Sequence, residues 1–169
     1  MQLITQTIGF IALLFVILSF QNDDRSKILK FLIIAQFLFV IHFLLLGAST
    51  AVVMNTIAAV RTFIFYIADN KTWANHKIWL VLFILLFWLF GLLSWEGYYS
   101  LLPILAMTID SIAVWMKKTK TLRLIALFPR PFWFLYNFIV GSYAGMATEF
   151  VTLLSITTGI IRFDTLKKE

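Results

Sequence analysis

The chain has 169 residues, of which 62% are hydrophobic and only 13% charged, with a mean hydropathy of +0.94. A soluble domain is about half apolar and a quarter charged, so a water-soluble fold is excluded and an integral membrane protein is expected. The net charge of +6 sits in short segments flanking apolar runs rather than on a solvated arm or patch, which argues against a nucleic-acid partner; with no cysteine in the chain, disulfides and thiolate chemistry are excluded as well.

Breaking the chain at Gly, Asn, Asp and charged clusters yields apolar spans near 4–20, 28–46, 50–67, 77–94, 98–116, 121–140 and 143–162. Each comes near the roughly twenty residues that cross a bilayer core of about 30 Å. The first span lacks a basic leading region and an A-x-A cleavage site, so it is expected to persist rather than be removed as a signal peptide. Basic residues fall on alternate connections: Arg25, Lys27 and Lys30 after span one, Lys71 and Lys77 after span three, Lys117, Lys118, Lys120 and Arg123 after span five, and Arg162, Lys167 and Lys168 in the tail. The turns near Gly47, Trp95 to Gly97 and Gly141 have none. The positive-inside rule then places the N-terminus outside and the C-terminus in the cytoplasm, which an odd number of spans also requires.

Gly47 and Gly141 end spans two and six and stand 94 residues apart. The same offset lays spans one to three on spans five to seven, pairing Gly9 with Pro103, Ala12 with Ala106, Gln36 with Arg130, His42 with Tyr136 and Asn55 with Glu149. Two three-helix units that enter from the same side need one more crossing between them. The expected fold is therefore an all-α membrane protein with seven transmembrane helices, two parallel three-helix bundles joined by a linker helix (3+1+3). The bundles occupy residues 1–69 and 97–169 and the linker residues 70–96.

Arg61, Asp110, Arg130 and Glu149 lie at membrane depth, and their formal charges sum to zero. An isolated charge at the bilayer centre costs about 2.5–3.5 kcal/mol on insertion scales, so such groups pair or face water, and they mark function more often than packing. Rise per residue sorts the polar residues into an outer layer of His42, Asn55, Asn137 and Glu149 and a central layer of Gln36, Arg61, Asp110 and Arg130. These are the candidate pathway residues; the alternative for any one Asn, Gln or His is a stabilising cross-link between helices. Pro103 is expected to interrupt span five, and Pro129 and Pro131 bracket Arg130 in span six, freeing backbone carbonyls that line a cavity or absorb a hinge. Gly9 supplies a matching weak point. Trp73, Trp79, Trp95, Tyr98 and Tyr99 suit interfacial belts.

The series His42-Phe-Leu-Leu-Leu-Gly47, Asn55-Thr-Ile-Ala-Ala-Val-Arg61, Leu102-Pro103, Tyr136-Asn137-Phe138, Gly141-Ser142, Glu149 and Ile160-Ile-Arg-Phe163 resembles the YgjV-type bacterial inner membrane proteins over nearly the whole chain. That resemblance implies a bacterial inner-membrane location rather than an activity. In its 3+1+3 plan the chain is also remotely similar to SWEET sugar facilitators, PQ-loop transporters and PnuC-type vitamin transporters, in which substrate passes between two triple-helix bundles. It departs from them in carrying Ser19-Phe20-Gln21 where a Pro-Gln pair would end span one, and no substrate residue transfers from those families.

Two functions remain open. The leading one is a transporter or facilitator for a small polar solute, with Asn55, Arg61, Asn137 and Glu149 on one cavity; the other is a non-transporting membrane protein that assists assembly, senses lipid or recruits a partner through its basic loops. An enzyme is not expected, because His42 and His76, the two histidines, stand in different segments without a metal-spaced cluster or a nucleophile and base pair. No cofactor or metal is implied; the partners are membrane lipids and the unidentified solute, and the oligomeric state is open.

Overall fold

The computed structural model describes residues 2–165; the tail lysines Lys167 and Lys168 lie outside the described residues. The described chain is helical throughout, with helices α1 (Gln2–Phe20), α2 (Arg25–Leu46), α3 (Ser49–Ile67), α4 (Ile78–Leu93), α5 (Leu101–Trp115), α6 (Thr119–Ala126), α7 (Arg130–Ile139) and α8 (Tyr143–Gly159). Short turns of tighter helix cover Thr72–Asn75 and Tyr98–Ser100, and a wider turn, Ile160–Thr165, ends the described chain. In hydrocarbon every backbone group must be satisfied within its own segment, and the apolar runs meet that demand as helices. Five segments are long and apolar enough to cross a membrane: α1, α2, α3, Tyr98–Trp115 and Tyr143–Thr165. The helix α4 is a shorter apolar one.

Span six departs from expectation: it is two helices, not one. A proline lacks the N–H that the carbonyl four residues back would accept, and its ring clashes with that carbonyl. Pro129 and Pro131 therefore stop α6 at Ala126 and restart the chain as α7 at Arg130. The break inverts a hydrogen bond. The Arg130 N–H reaches Leu127 O at 3.4 Å, and the Ala126 carbonyl that it would have bonded in a continuous helix accepts the same residue's Nε at 2.9 Å. Pro103 does not interrupt anything. It is the third residue of α5, in the first turn, where backbone N–H groups have no intrahelical partner to lose. At Gly9, α1 runs on unbroken. A Cβ there would lie 2.6 Å from Ala144 Cβ and 2.9 Å from His42 Nδ1, so Gly9 lets α1 close onto α2 and α8.

Positions 94 apart share geometry as well as order. Gly47 and Gly141 are left-handed, with φ of 74° and 70°. Each closes its helix with the same pair of bonds: Gly47 N to Leu44 O at 3.2 Å and Ala48 N to Phe43 O at 3.0 Å, Gly141 N to Phe138 O at 3.4 Å and Ser142 N to Asn137 O at 2.9 Å. This is a Schellman cap, which favours glycine at the left-handed residue. Every buried position of α3 except Ala59 has a buried equivalent in α8. Packing follows the same rule: α1 lies on α2 and α2 on α3, α5 lies on α6 and α7 and α7 on α8, and the two sets meet through α1 on α8 and α3 on α5. The helix α4 packs on α3 and α5.

Candidate functional site

A cavity of about 80 Å³ lies where the two sets of helices meet. By that measure a water needs roughly 10–15 Å³, so the space holds a handful of waters or one small solute. Its lining comes from α1, α2, α3, α5, α6, α7 and α8, with no residue from α4. The lining also obeys the 94-residue offset, with Val16 facing the role of Asp110, Gln36 that of Arg130, Phe39 that of Trp133, Phe43 that of Asn137 and Asn55 that of Glu149. The chemistry is unequal. Where the second set presents a carboxylate, a guanidinium and a second carboxylate, the first presents Val16, Gln36 and Asn55.

Seven of the eight expected pathway residues line this cavity: Gln36, Asn55, Arg61, Asp110, Arg130, Asn137 and Glu149. The break before α7 sets Arg130 at a helix start, from which its side chain reaches two neighbours. One nitrogen contacts both oxygens of Asp110 at 2.8 and 2.9 Å, and the other contacts Glu149 Oε2 at 3.1 Å. With Nε on Ala126 O, every nitrogen of the guanidinium has a partner, and the formal charges of Arg130, Asp110 and Glu149 sum to minus one. Glu149, expected in the outer layer, bonds directly to Arg130, expected in the central one.

Arg61 is the opposite case. It is 1% exposed, yet among the described residues it forms no ion pair. It donates to Ser111 Oγ at 2.9 Å and, at 3.4 Å each, to Met107 O and Thr62 Oγ1. Its Cζ stands 5.4 Å from the Phe87 ring centroid, within cation–π range, and its Nε has no partner among the described residues. The buried carbonyl oxygens of Gln36 and Asn137 also lack donors, although buried polar atoms are otherwise almost always paired. Asn55 spends its amide on Ala51 O at 2.9 Å.

His42 lies apart from the cavity. Fully buried, it bridges Thr5 O at 2.8 Å through Nδ1 and Ser142 Oγ at 2.7 Å through Nε2, so it joins α1, α2 and the start of α8. Of the expected hinge residues, only Pro129 and Pro131 stand at a break in a helix.

Two further arginines, Arg25 and Arg123, which in the sequence mark only topology, are buried clamps in the structure. Arg25 donates to Phe65 O, Val114 O and Met116 O and pairs with Asp69 at 2.6 Å, tying the end of α3 to the end of α5. Arg123 pairs with Asp164 at 2.8 Å and donates to Asn22 O, tying the end of α8 to the end of α1. A signal for them existed in the residue type: every described lysine is exposed, whereas four arginines are buried. The planar five-donor guanidinium can satisfy several carbonyls at once, which a lysine ammonium cannot do in the same geometry.

The family model described as Imp-YgjV, a bacterial inner membrane protein, matches residues 3–167. The inner membrane protein YgjV of Escherichia coli (strain K12) is 30% identical over 166 residues, which cover 98% of this chain and 87% of that one. No solved structure matches. With helices long and apolar enough to cross a bilayer repeatedly and a family match over nearly its whole length, the chain belongs to the Imp-YgjV family and is a multi-pass protein of the bacterial inner membrane.

Proposed function

We propose that the protein is a transporter or facilitator for a small polar solute, which it moves by rocking two three-helix units, residues 1–69 and 97–169, about a central cavity. In this reading α6 and α7 together make one broken crossing, α4 is the linker crossing within 70–96, and the chain spans the bilayer seven times with its N-terminus outside. The observation that carries the reading is the unpaired, buried Arg61 on a cavity built from both units and not from the linker. Its hydrogen bonds to Ser111, Met107 and Thr62 and its contact with the Phe87 ring leave that charge without a carboxylate in contact among the described residues, and a buried charge without a contact partner is costly. Support for two units comes from the packing: the first helix of each set lies on the last helix of the other, α1 on α8 and α5 on α3, the arrangement of two pseudo-equivalent bodies that slide on a pair of like seams. Broken helices at a midplane site recur among transporters, and the α6–α7 break places Arg130 in the cavity wall.

The test is solute flux. Purified protein in lipid vesicles is expected to take up a polar solute from a broad panel, and Asn55→Ala and Glu149→Ala are expected to reduce that uptake without loss of folded protein. Uptake equal to that of empty vesicles across the panel, or unchanged by either substitution, would overturn the proposal in favour of a non-transporting role.

A further inference from the structure

The cavity has two unlike poles. On one side Arg61 carries a positive charge that, among the described residues, no carboxylate contacts, Asp110 acting on it only through space. On the other, Arg130 is shared by Asp110 and Glu149, so the formal charges of that cluster sum to minus one. The four formal charges cancel. A bound anion would neutralise Arg61 and leave the acidic cluster unanswered in a space shielded from water; a bound cation would do the reverse. Only a solute with both charges satisfies the two poles together and adds no net charge to a membrane-buried site, where uncompensated charge is expensive.

The remaining unmade bonds fit the same solute. An ammonium group donates three hydrogen bonds and accepts none, and two lining residues carry buried carbonyl oxygens without donors among the described residues, Gln36 Oε1 and Asn137 Oδ1, the latter lying against Gly145. A carboxylate accepts several and donates none, and Arg61 Nε is an unused donor. Size narrows the choice. About 80 Å³ corresponds to roughly five to eight water-sized groups, which suits a solute of about six heavy atoms. We infer that this cavity binds a small zwitterion of the amino-acid type, with its carboxylate on Arg61 and its ammonium toward Gln36, Asn137 and the Asp110–Arg130–Glu149 cluster. As the identity of a transported solute, this rests on the transport reading above; as a binding site, it does not.

The experiment is calorimetric titration of the detergent-purified protein with glycine, alanine and β-alanine, beside acetate, methylammonium and acetamide, smaller fragments that carry one of the two charges or neither. The zwitterions are expected to bind at least tenfold tighter than the other three, and Arg61→Gln is expected to weaken zwitterion binding about 10- to 100-fold, the loss of one charge-assisted bond pair. The panel alone, on the unaltered protein, decides the matter if that variant does not fold. Acetate, methylammonium or acetamide binding as tightly as the zwitterions, or no binding by any zwitterion, overturns the inference. Zwitterion binding without vesicle uptake would sustain this site and remove the transport reading; uptake of another solute without zwitterion binding would do the opposite.

Discussion

Arg130→Gln removes the cation that two carboxylates share. The structure fixes what is lost: contacts to Asp110 at 2.8 and 2.9 Å, to Glu149 at 3.1 Å and to Ala126 O at 2.9 Å. Glu149 is 6% exposed, so its charge cannot turn to water for relief. Breaking a buried ion pair from one side costs about 3–5 kcal/mol, because the stranded charge remains. For a chain of this length that corresponds to roughly 10 °C in midpoint, at 2–4 °C per kcal/mol. The chain itself supplies the control, since the equivalent positions in the first half hold Val16, Gln36 and Asn55. The triple variant Asp110→Val, Arg130→Gln, Glu149→Asn copies that neutral set and is expected to recover most of the loss, as replacing a whole buried ionic cluster often does. Thermal unfolding in one detergent, followed by tryptophan fluorescence, compares the three proteins. A loss below about 1 kcal/mol for Arg130→Gln, or a triple variant no more stable than the single one, would refute the argument that stranded charge sets the cost.

Three further outcomes follow from the same geometry. Gly47→Ala and Gly141→Ala are each expected to lower unfolding stability by about 1–2 kcal/mol through left-handed strain, and by similar amounts, because both sites have open space around the missing Cβ and near-equal φ. Arg25→Ala removes the bonds to three helix-end carbonyls and one of the two cations on Asp69, which keeps Lys117; at about 1 kcal/mol for each bond it is expected to cost about 3–4 kcal/mol in the same assay. The chain has no cysteine, so single thiols placed as Ser49→Cys, Tyr143→Cys, Lys77→Cys and Lys118→Cys report sidedness directly. An impermeant maleimide on whole cells is expected to label the first two and spare the last two.

Helix positions were legible because hydrocarbon leaves the backbone one solution, and the repeat was legible at its turns because a left-handed cap demands glycine at both 47 and 141. Side-chain identity would not have revealed it: Met54 and Thr148, or Arg61 and Ser155, share burial across the offset but little chemistry. Depth from rise per residue collected seven cavity residues, yet it failed for His42. A helix has faces as well as height, and in a span apolar all round no polar periodicity tells which face looks inward. Pro103 misled for a related reason: a proline interrupts a helix only beyond its first turn, and that depended on where α5 starts. Arg25 and Arg123 were hidden by the topology rule, which counts arginine and lysine alike although every described lysine is exposed and four arginines are buried.

The inequality of the two halves has a consequence for selectivity. Had both halves carried the Asp–Arg–Glu set, the cavity would hold two negative charges in excess; the neutral set in the first half halves that, and Arg61 cancels the remainder. Net charge in a water-poor space governs which ions enter it, because no counterion is at hand to screen the difference. Arg61→Gln leaves the cavity at minus one and is expected to raise affinity for methylammonium relative to acetate by about tenfold, whereas Glu149→Gln leaves it at plus one and is expected to move the ratio the other way by a similar factor, each the worth of one charge-assisted bond. Competitive titration on the two variants reads the ratio directly, independent of how much each substitution costs in stability. Shifts in the same direction for both would mean that local shape, not the sum of charges, chooses the occupant.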